Sequence, residues 1–287
     1  MPFFISVNDN CDMTHKYSVL KALRPFSFSV ALITCVVGIV SAAALMEIDP
    51  WLALAVVLGA VLLQAGVNLI NDYSDLQWQQ DSRCRMMIRR NFRLGLSCFI
   101  LAAACGVVLV AARGLPLLLL FLLGLVGALG YTLEPINFKR RGLAVALVFW
   151  LMGVLMVCGS YYAVTGSVSW LIFYQAIPVS LISSLLLLAN ELRDHQVDEQ
   201  QGVRTLTVRI GFKPAMGLYK ILLLAVFLIS VVLWWQEGLS AAWWLLSLPM
   251  LWLIGRLLSS EQSLRNNLPP MTGRFFMLFG LLYVFSL

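Results

Sequence analysis

The sequence predicts an all-α, multi-pass membrane bundle of about nine transmembrane helices, and three observations carry that prediction. Of 287 residues, 61% are hydrophobic and only 12% charged, with a mean hydropathy of +0.88; a soluble domain carries about 25% charge. Apolar runs of roughly 17 to 25 residues recur, each long enough to cross a bilayer as a helix. Basic residues gather in alternate connections between those runs.

The polar start (Asn8, Asp9, Asn10, Asp12, Lys16) leads directly into the first long run. No short apolar stretch with a small-residue cleavage site precedes it, so no removable signal is expected. Residues 1–24 read as a leader and 25–287 as one transmembrane domain. Spans are expected at 25–46, 51–71, 94–112, 115–132, 143–164, 168–190, 214–235, 240–258 and 271–287. Polar hinges divide them at Asp49-Pro50, Arg113-Gly114-Leu115-Pro116, Gly166-Ser167 and Glu237-Gly238. Two longer connections, about 74–92 and 191–213, are expected to be irregular and able to support a site. The six cysteines (Cys11, Cys35, Cys84, Cys98, Cys105, Cys158) show no CxxC spacing and read as small core residues.

The net charge of +6 raises the question of nucleic acid, and its distribution answers no. With these spans, 19 of the 20 basic residues fall on one side, leaving Arg113 alone on the other beside Glu47, Asp49 and Glu237. This is the positive-inside pattern. It predicts a cytoplasmic N-terminus, cytoplasmic long connections and an external C-terminus.

Against this apolar background two acidic clusters stand out, 122 positions apart from Asp72 to Asp194. The first reads Asn68-Leu-Ile-Asn71-Asp72-Tyr-Ser-Asp75, with Asp81 beyond. Asn68, Asp72 and Asp75 fall at i, i+4 and i+7, one helical stripe. The second reads Asn190-Glu191-Leu-Arg193-Asp194-His195-Gln-Val-Asp198, with Asn190, Asp194 and Asp198 at i, i+4 and i+8. A carboxylate in or near lipid is expensive and marks a functional site by default. Magnesium takes one or two carboxylates and completes its shell with water and substrate phosphate. Two oxygen-rich stripes at helix ends suit that demand better than solvated helix termini do.

Behind the second cluster runs Gly202-Val-Arg204-Thr205-Leu206, where an arginine can fork onto anionic oxygens. A third stretch, Gly130-Tyr131-Thr132 through Glu134-Pro135 to Lys139-Arg140-Arg141-Gly142, ends the fourth span in a turn and a basic triplet. The triplet is either an anion site or plain topological charge. His15 sits in the leader, and His195 beside Asp194 reads first as structural. No Ser-His-Asp order, HExxH, GxxxxGK[ST] or GxGxxG is present, which removes hydrolase, zincin and nucleotide-loop readings.

These strings resemble the UbiA superfamily of intramembrane prenyltransferases. Within it they are most similar to the 1,4-dihydroxy-2-naphthoate polyprenyltransferase branch of menaquinone biosynthesis. The resemblance runs from Leu23-Arg24-Pro25 to the last helix. It is carried by Gln64 to Asp75, Gly130-Tyr131-Thr132, Arg141-Gly142-Leu143, Gly159 to Tyr162, and above all Asn190 to Leu206. It implies a helical bundle around a central cavity in a bacterial inner membrane, capped by the two Asp-rich motifs. Asn68, Asp72, Asp75 and Asp81, with Asn190, Asp194 and Asp198, would hold Mg²⁺. Asp72, Asp75, Asp194 and Asp198 would be the catalytic carboxylates. Arg193, Arg204, Lys139, Arg140 and Arg141 would bind the diphosphate of a polyprenyl donor. An aromatic acceptor would attack the allylic carbon in a dry cavity, and carboxylate would leave as CO₂. The chain departs from the branch at Ala144-Val145, where Gly-Glu is usual, at Val203, where a basic residue is usual, and in its arginine-rich segment 81–93. Acceptors such as 4-hydroxybenzoate therefore stay open. From another class, a cation-coupled transporter would also set carboxylates in a bundle, though nearer the bilayer midplane.

Overall fold

All regular structure among the described residues is helical. The computed structural model describes residues 16–77, 79–132, 137–236, 238–260 and 265–287, without the side chains of 26, 74, 75, 77, 129 and 132. Cys11, His15, the Glu134-Pro135 turn, Glu237 and the Asp75 carboxylate lie outside that description.

The apolar helices are α1 (Phe28–Ala43), α2 (Pro50–Asn71), α3 (Ser82–Arg113), α4 (Leu115–Thr132) and α5 (Ala144–Thr165). They continue with α6 (Trp170–Gln200), α7 (Phe212–Trp235), α8 (Pro249–Leu258) and α9 (Leu268–Val284). Among the described residues five of these, α2, α3, α5, α6 and α7, are long and apolar enough to cross a membrane. The four shorter ones fall where further spans are expected. Large apolar side chains such as Trp51, Ile100 and Val107 stand exposed around the outside. In water so much exposed apolar surface would drive aggregation; in lipid it is the ordinary exterior. This is an integral membrane protein.

The hinges work as their residues dictate. Pro50 opens α2 and the Asp49 carboxylate accepts the Trp51 N–H at 2.8 Å, an N-cap. Arg113, the exceptional cation, donates from Nε to Ala163 O (2.8 Å) and from its other nitrogen to Val164 O. It thereby satisfies carbonyls that the end of α5 leaves free.

The central element is α6, which packs on α1, α5, α7 and α9 and has most of its apolar stretch buried. Its contact with α5 is close. A Cβ on Gly153 would stand 2.6 Å from Ser180 Cα, and Ser184 Oγ donates to Val145 O at 2.9 Å. Here α5 contains a π-helical turn, Phe149–Leu155. By contrast α3 packs mainly on α2 and shows most of its surface to lipid.

Both connections expected to be irregular are largely helical. The chain runs through a 3₁₀ helix, Asp72–Gln77, into α3 from Ser82 rather than 94. Likewise α6 continues to Gln200 rather than stopping near 190. Hydropathy reports where a helix leaves lipid, not where its hydrogen bonds end; Asp81 and the polar residues 191–200 support further turns outside it. The eighth span starts later than expected, because a short 3₁₀ helix, Trp243–Ser247, precedes Pro249.

Candidate active site

Asn68 is buried on the last turns of α2, and its side-chain N–H group donates to Leu23 O and Ser27 Oγ, both at 2.6 Å. Its Oδ1 accepts from Gln64 at 3.2 Å. The amide therefore ties the segment before α1 onto α2. That segment carries Arg24, which holds a left-handed backbone (φ 50°) just before Pro25. A non-glycine there is strained by roughly 1–2 kcal/mol. The strain places the guanidinium on Asp72, 3.1 Å from Oδ1. Asp72 itself is buried at the end of α2, with Asn71 Nδ2 also donating to it at 3.4 Å. Arg24, 48 positions away, is the residue that spacing alone did not expose. Its one signal is the Leu23-Arg24-Pro25 string.

Asp75 has its backbone in the 3₁₀ helix after Asp72. Asp81 caps α3: one oxygen accepts the Arg83 N–H at 2.9 Å and the other accepts from Cys84 Sγ at 3.4 Å. Its carboxylate is committed to the helix start, which any metal would have to displace.

The second cluster lies on the polar extension of α6. Asn190 donates to Leu186 O one turn back (2.9 Å), leaving its oxygen free of that bond. Arg193 grips Asp194 with two nitrogens, each 2.7 Å from an oxygen. Asp198 accepts from Thr205 Oγ1 at 3.4 Å. Glu191 is buried; its Oε2 accepts the Thr207 N–H and its carbonyl accepts Thr207 Oγ1, each at 3.2 Å. The other oxygen, Oε1, is buried with no hydrogen-bond partner among the described residues. Buried carboxyl oxygens without partners are uncommon and ask for a reason. Sequence reasoning passed over Glu191 because its partners come from the next short helix, Leu206–Ile210.

The third stretch joins the second cluster. Lys139 is near enough for its charge to act on both Glu191 and Asp198. Arg209 donates to Arg204 O and to Arg140 O, both at 3.0 Å, strapping the two connections together. Gly142 lies beneath that strap at φ 73°, and a Cβ there would stand 2.6 Å from Arg209 Cδ. Lys139, Arg140, Arg141 and Arg204 are exposed. His195 has its ring 5.5 Å from that of Phe212.

The chain path puts both clusters at one end of the bundle. α3 runs from the first cluster to Arg113, α4 returns, and α5 comes back from Ala144 to meet Arg113 at Val164. The starts of α3 and α5 therefore lie at the same end, far from Arg113. At that end each cluster has one aspartate held by one arginine.

A multi-pass helical bundle with aspartate-rich helix ends at one face defines the class, and sequence similarity agrees. Residues 31–280 match the UbiA prenyltransferase family, and the chain belongs to it. It is a prenyltransferase. The mouse UbiA prenyltransferase domain-containing protein 1 is 31% identical over 94% of this chain and 83% of its own length. The 1,4-dihydroxy-2-naphthoate octaprenyltransferase of Mycobacterium leprae is 33% identical over 77% of this chain and 81% of its own. The fold is shared with a UbiA homologue from Archaeoglobus fulgidus solved with GPP and Mg²⁺ (TM-score 0.54, 17% identity, 93% of this chain, 99% of that one).

Proposed function

We propose that the protein transfers a polyprenyl chain from polyprenyl diphosphate to an aromatic quinone precursor, with 1,4-dihydroxy-2-naphthoate as the leading acceptor. One observation carries this reading: two aspartate–arginine pairs, Arg24–Asp72 and Arg193–Asp194, sit at one end of an apolar bundle. Carboxylate for a metal and guanidinium for an anion are what a metal–diphosphate needs from each side.

The donor set fits Mg²⁺, being all hard oxygen. Among the described residues no three His, Cys, Asp or Glu converge on one point. Water and substrate phosphates would complete the shell. Asp72 in the first cluster and Asp194 and Asp198 in the second would each offer oxygen to Mg²⁺, with Asn190 and Asp75 as further candidates and Asn68 and Asp81 occupied structurally. When bound, the metal supplies charge stabilisation to the departing diphosphate.

This chain's own groups do the rest. Arg24 and Arg193 turn from their aspartates to diphosphate oxygens, and Arg204, Arg140, Arg141 and Lys139 ring the anion from the strap. The allylic C1–O bond breaks with its electron pair on the diphosphate. The electron-rich ring then bonds to C1 and loses a proton, or CO₂ from a carboxylated position. The apolar tail stays among the helices, so the cation forms where water is scarce. The naphthoate acceptor is supported by the similarity to the Mycobacterium leprae enzyme.

The test is an assay of membranes with Mg²⁺, farnesyl or longer diphosphate, and a panel of aromatic acids. Prenylated naphthoate is the expected product. Transfer to 4-hydroxybenzoate alone would move the acceptor, and gradient-driven ion uptake without transfer would overturn the reading.

A further inference from the structure

The arginines of segment 81–93 take no part in the chemistry above, yet they are ordered. Arg85, Arg89 and Arg93 follow at i, i+4 and i+8 along one face of α3, with Arg90 beside them. Together with Met86 and Leu94 they line an open hollow of about 490 Å³. All four arginines are exposed, or nearly so, and among the described residues no acid lines the hollow. Among the described residues their side-chain bonds are long and neutral: Arg85 to Gln79 O and Arg90 to Asn91 Oδ1, both 3.4 Å. Four like charges on three turns of helix repel one another. The arrangement lowers its energy when an anion enters.

The position of the hollow says which anion. α3 has 32 residues; at about 1.5 Å per residue it is roughly 48 Å long, against about 30 Å of hydrocarbon. Its apolar part begins at Leu94 and runs to Arg113, about 20 residues, which fills the hydrocarbon. The arginines occupy the three turns immediately outside, at headgroup depth. Ile100, Leu101, Val107 and Val108 continue along an exposed, lipid-facing surface of the same helix. An anion there meets guanidinium above and hydrocarbon below.

We propose that this hollow is a binding site for the phosphate headgroup of an anionic phospholipid. The two acyl chains run down the exposed face of α3 while Arg85, Arg89 and Arg93 fork onto the phosphate oxygens. Leu94, at the hydrocarbon boundary, packs the glycerol end. Arginine suits the task because its planar fork matches phosphate and is weakly hydrated. At about 1 kcal/mol for each surface cation beside an anionic leaflet, a pair is worth on the order of thirtyfold in affinity.

The experiment is lipid titration of the purified full-length protein by native mass spectrometry, comparing phosphatidylglycerol with phosphatidylcholine. The wild type is expected to hold phosphatidylglycerol preferentially. Arg89→Gln/Arg93→Gln is expected to weaken that binding at least tenfold, and Lys220→Gln, exposed on α7, to leave it unchanged. A melting curve on each sample identifies any variant that is misfolded; the single change Arg93→Gln, which removes one exposed head, then serves in its place. Equal binding of both lipids, equal binding by the variants, or displacement of phosphatidylglycerol by millimolar inorganic phosphate would each overturn the proposal. The last outcome would mark a site for small anions without a lipid tail.

Discussion

Asp72 is almost closed off from solvent, and among the described residues its charge is met by Arg24 and Asn71. If that carboxylate serves as a metal ligand, Asp72→Asn keeps the shape and removes the negative charge that binds the metal most strongly. Turnover is expected to fall by at least about 100-fold, a loss of the size seen when one stabilising group is removed from a developing charge. The melting temperature should move by only a few degrees, and membrane insertion should be unchanged. Near-normal turnover in the purified variant would remove Asp72 from the mechanism. Glu191 makes the contrasting case. Glu191→Ala strands the Thr207 N–H, and a buried unpaired donor costs about 1–3 kcal/mol; Glu191→Gln still presents an accepting oxygen and should be milder. Thermal melts of the two variants check the order, and equal stability would contradict it. The aspartates were legible in the sequence because carboxylates at four-residue spacing beside apolar runs are rare. Arg24 and Glu191 were not, since the partners that give them meaning lie 48 and 16 positions away.

At the scale of elements, the cores of the spans were legible and their ends were not. Apolar runs fix where a helix crosses lipid, and both expected loops are largely helix, extending α3 and α6 beyond their apolar runs. The extension of α6 presents Asn190, Asp194 and Asp198 on one face, so its continuity matters. Proline at Val197, an exposed position, removes a helical bond and costs about 3 kcal/mol locally. Val197→Pro should abolish transfer while leaving helix content and detergent stability close to wild type; retained transfer would show that Asp198 need not ride on α6. Gly142 governs the strap. Gly142→Ala forces an alanine into a left-handed backbone and against Arg209. The expected result is about 1–3 kcal/mol of destabilisation and faster proteolysis near residues 137–143. Unchanged proteolysis would mean that the Arg209–Arg140 bond is not what orders that connection.

At the scale of the molecule, composition was enough for the class: an all-helical membrane protein with little charge outside its connections. The topology adds a prediction. Single cysteines at Gln79 and Gln201, in a protein whose native cysteines are replaced, should react with an impermeant thiol reagent from one membrane face, and cysteines at Ala44 and Val168 from the other. The positive-inside pattern assigns the first pair to the cytoplasm. Labelling of Gln79 and Gln201 from opposite faces would separate the two clusters. What the sequence left out at this scale is how distant segments meet, because the return of α5 to Arg113 is written in two backbone carbonyls rather than in any motif.

The central claim is that both aspartate clusters hold a single diphosphate together. The direct measurement is binding of a non-reactive prenyl diphosphate analogue to the purified protein, with and without Mg²⁺, in the wild type, Asp72→Asn and Asp194→Asn. The account predicts tight, Mg²⁺-dependent binding to the wild type and loss of the Mg²⁺-dependent part in either single variant. Wild-type, Mg²⁺-dependent affinity in one of the two variants would show that a single cluster suffices, and would contradict it.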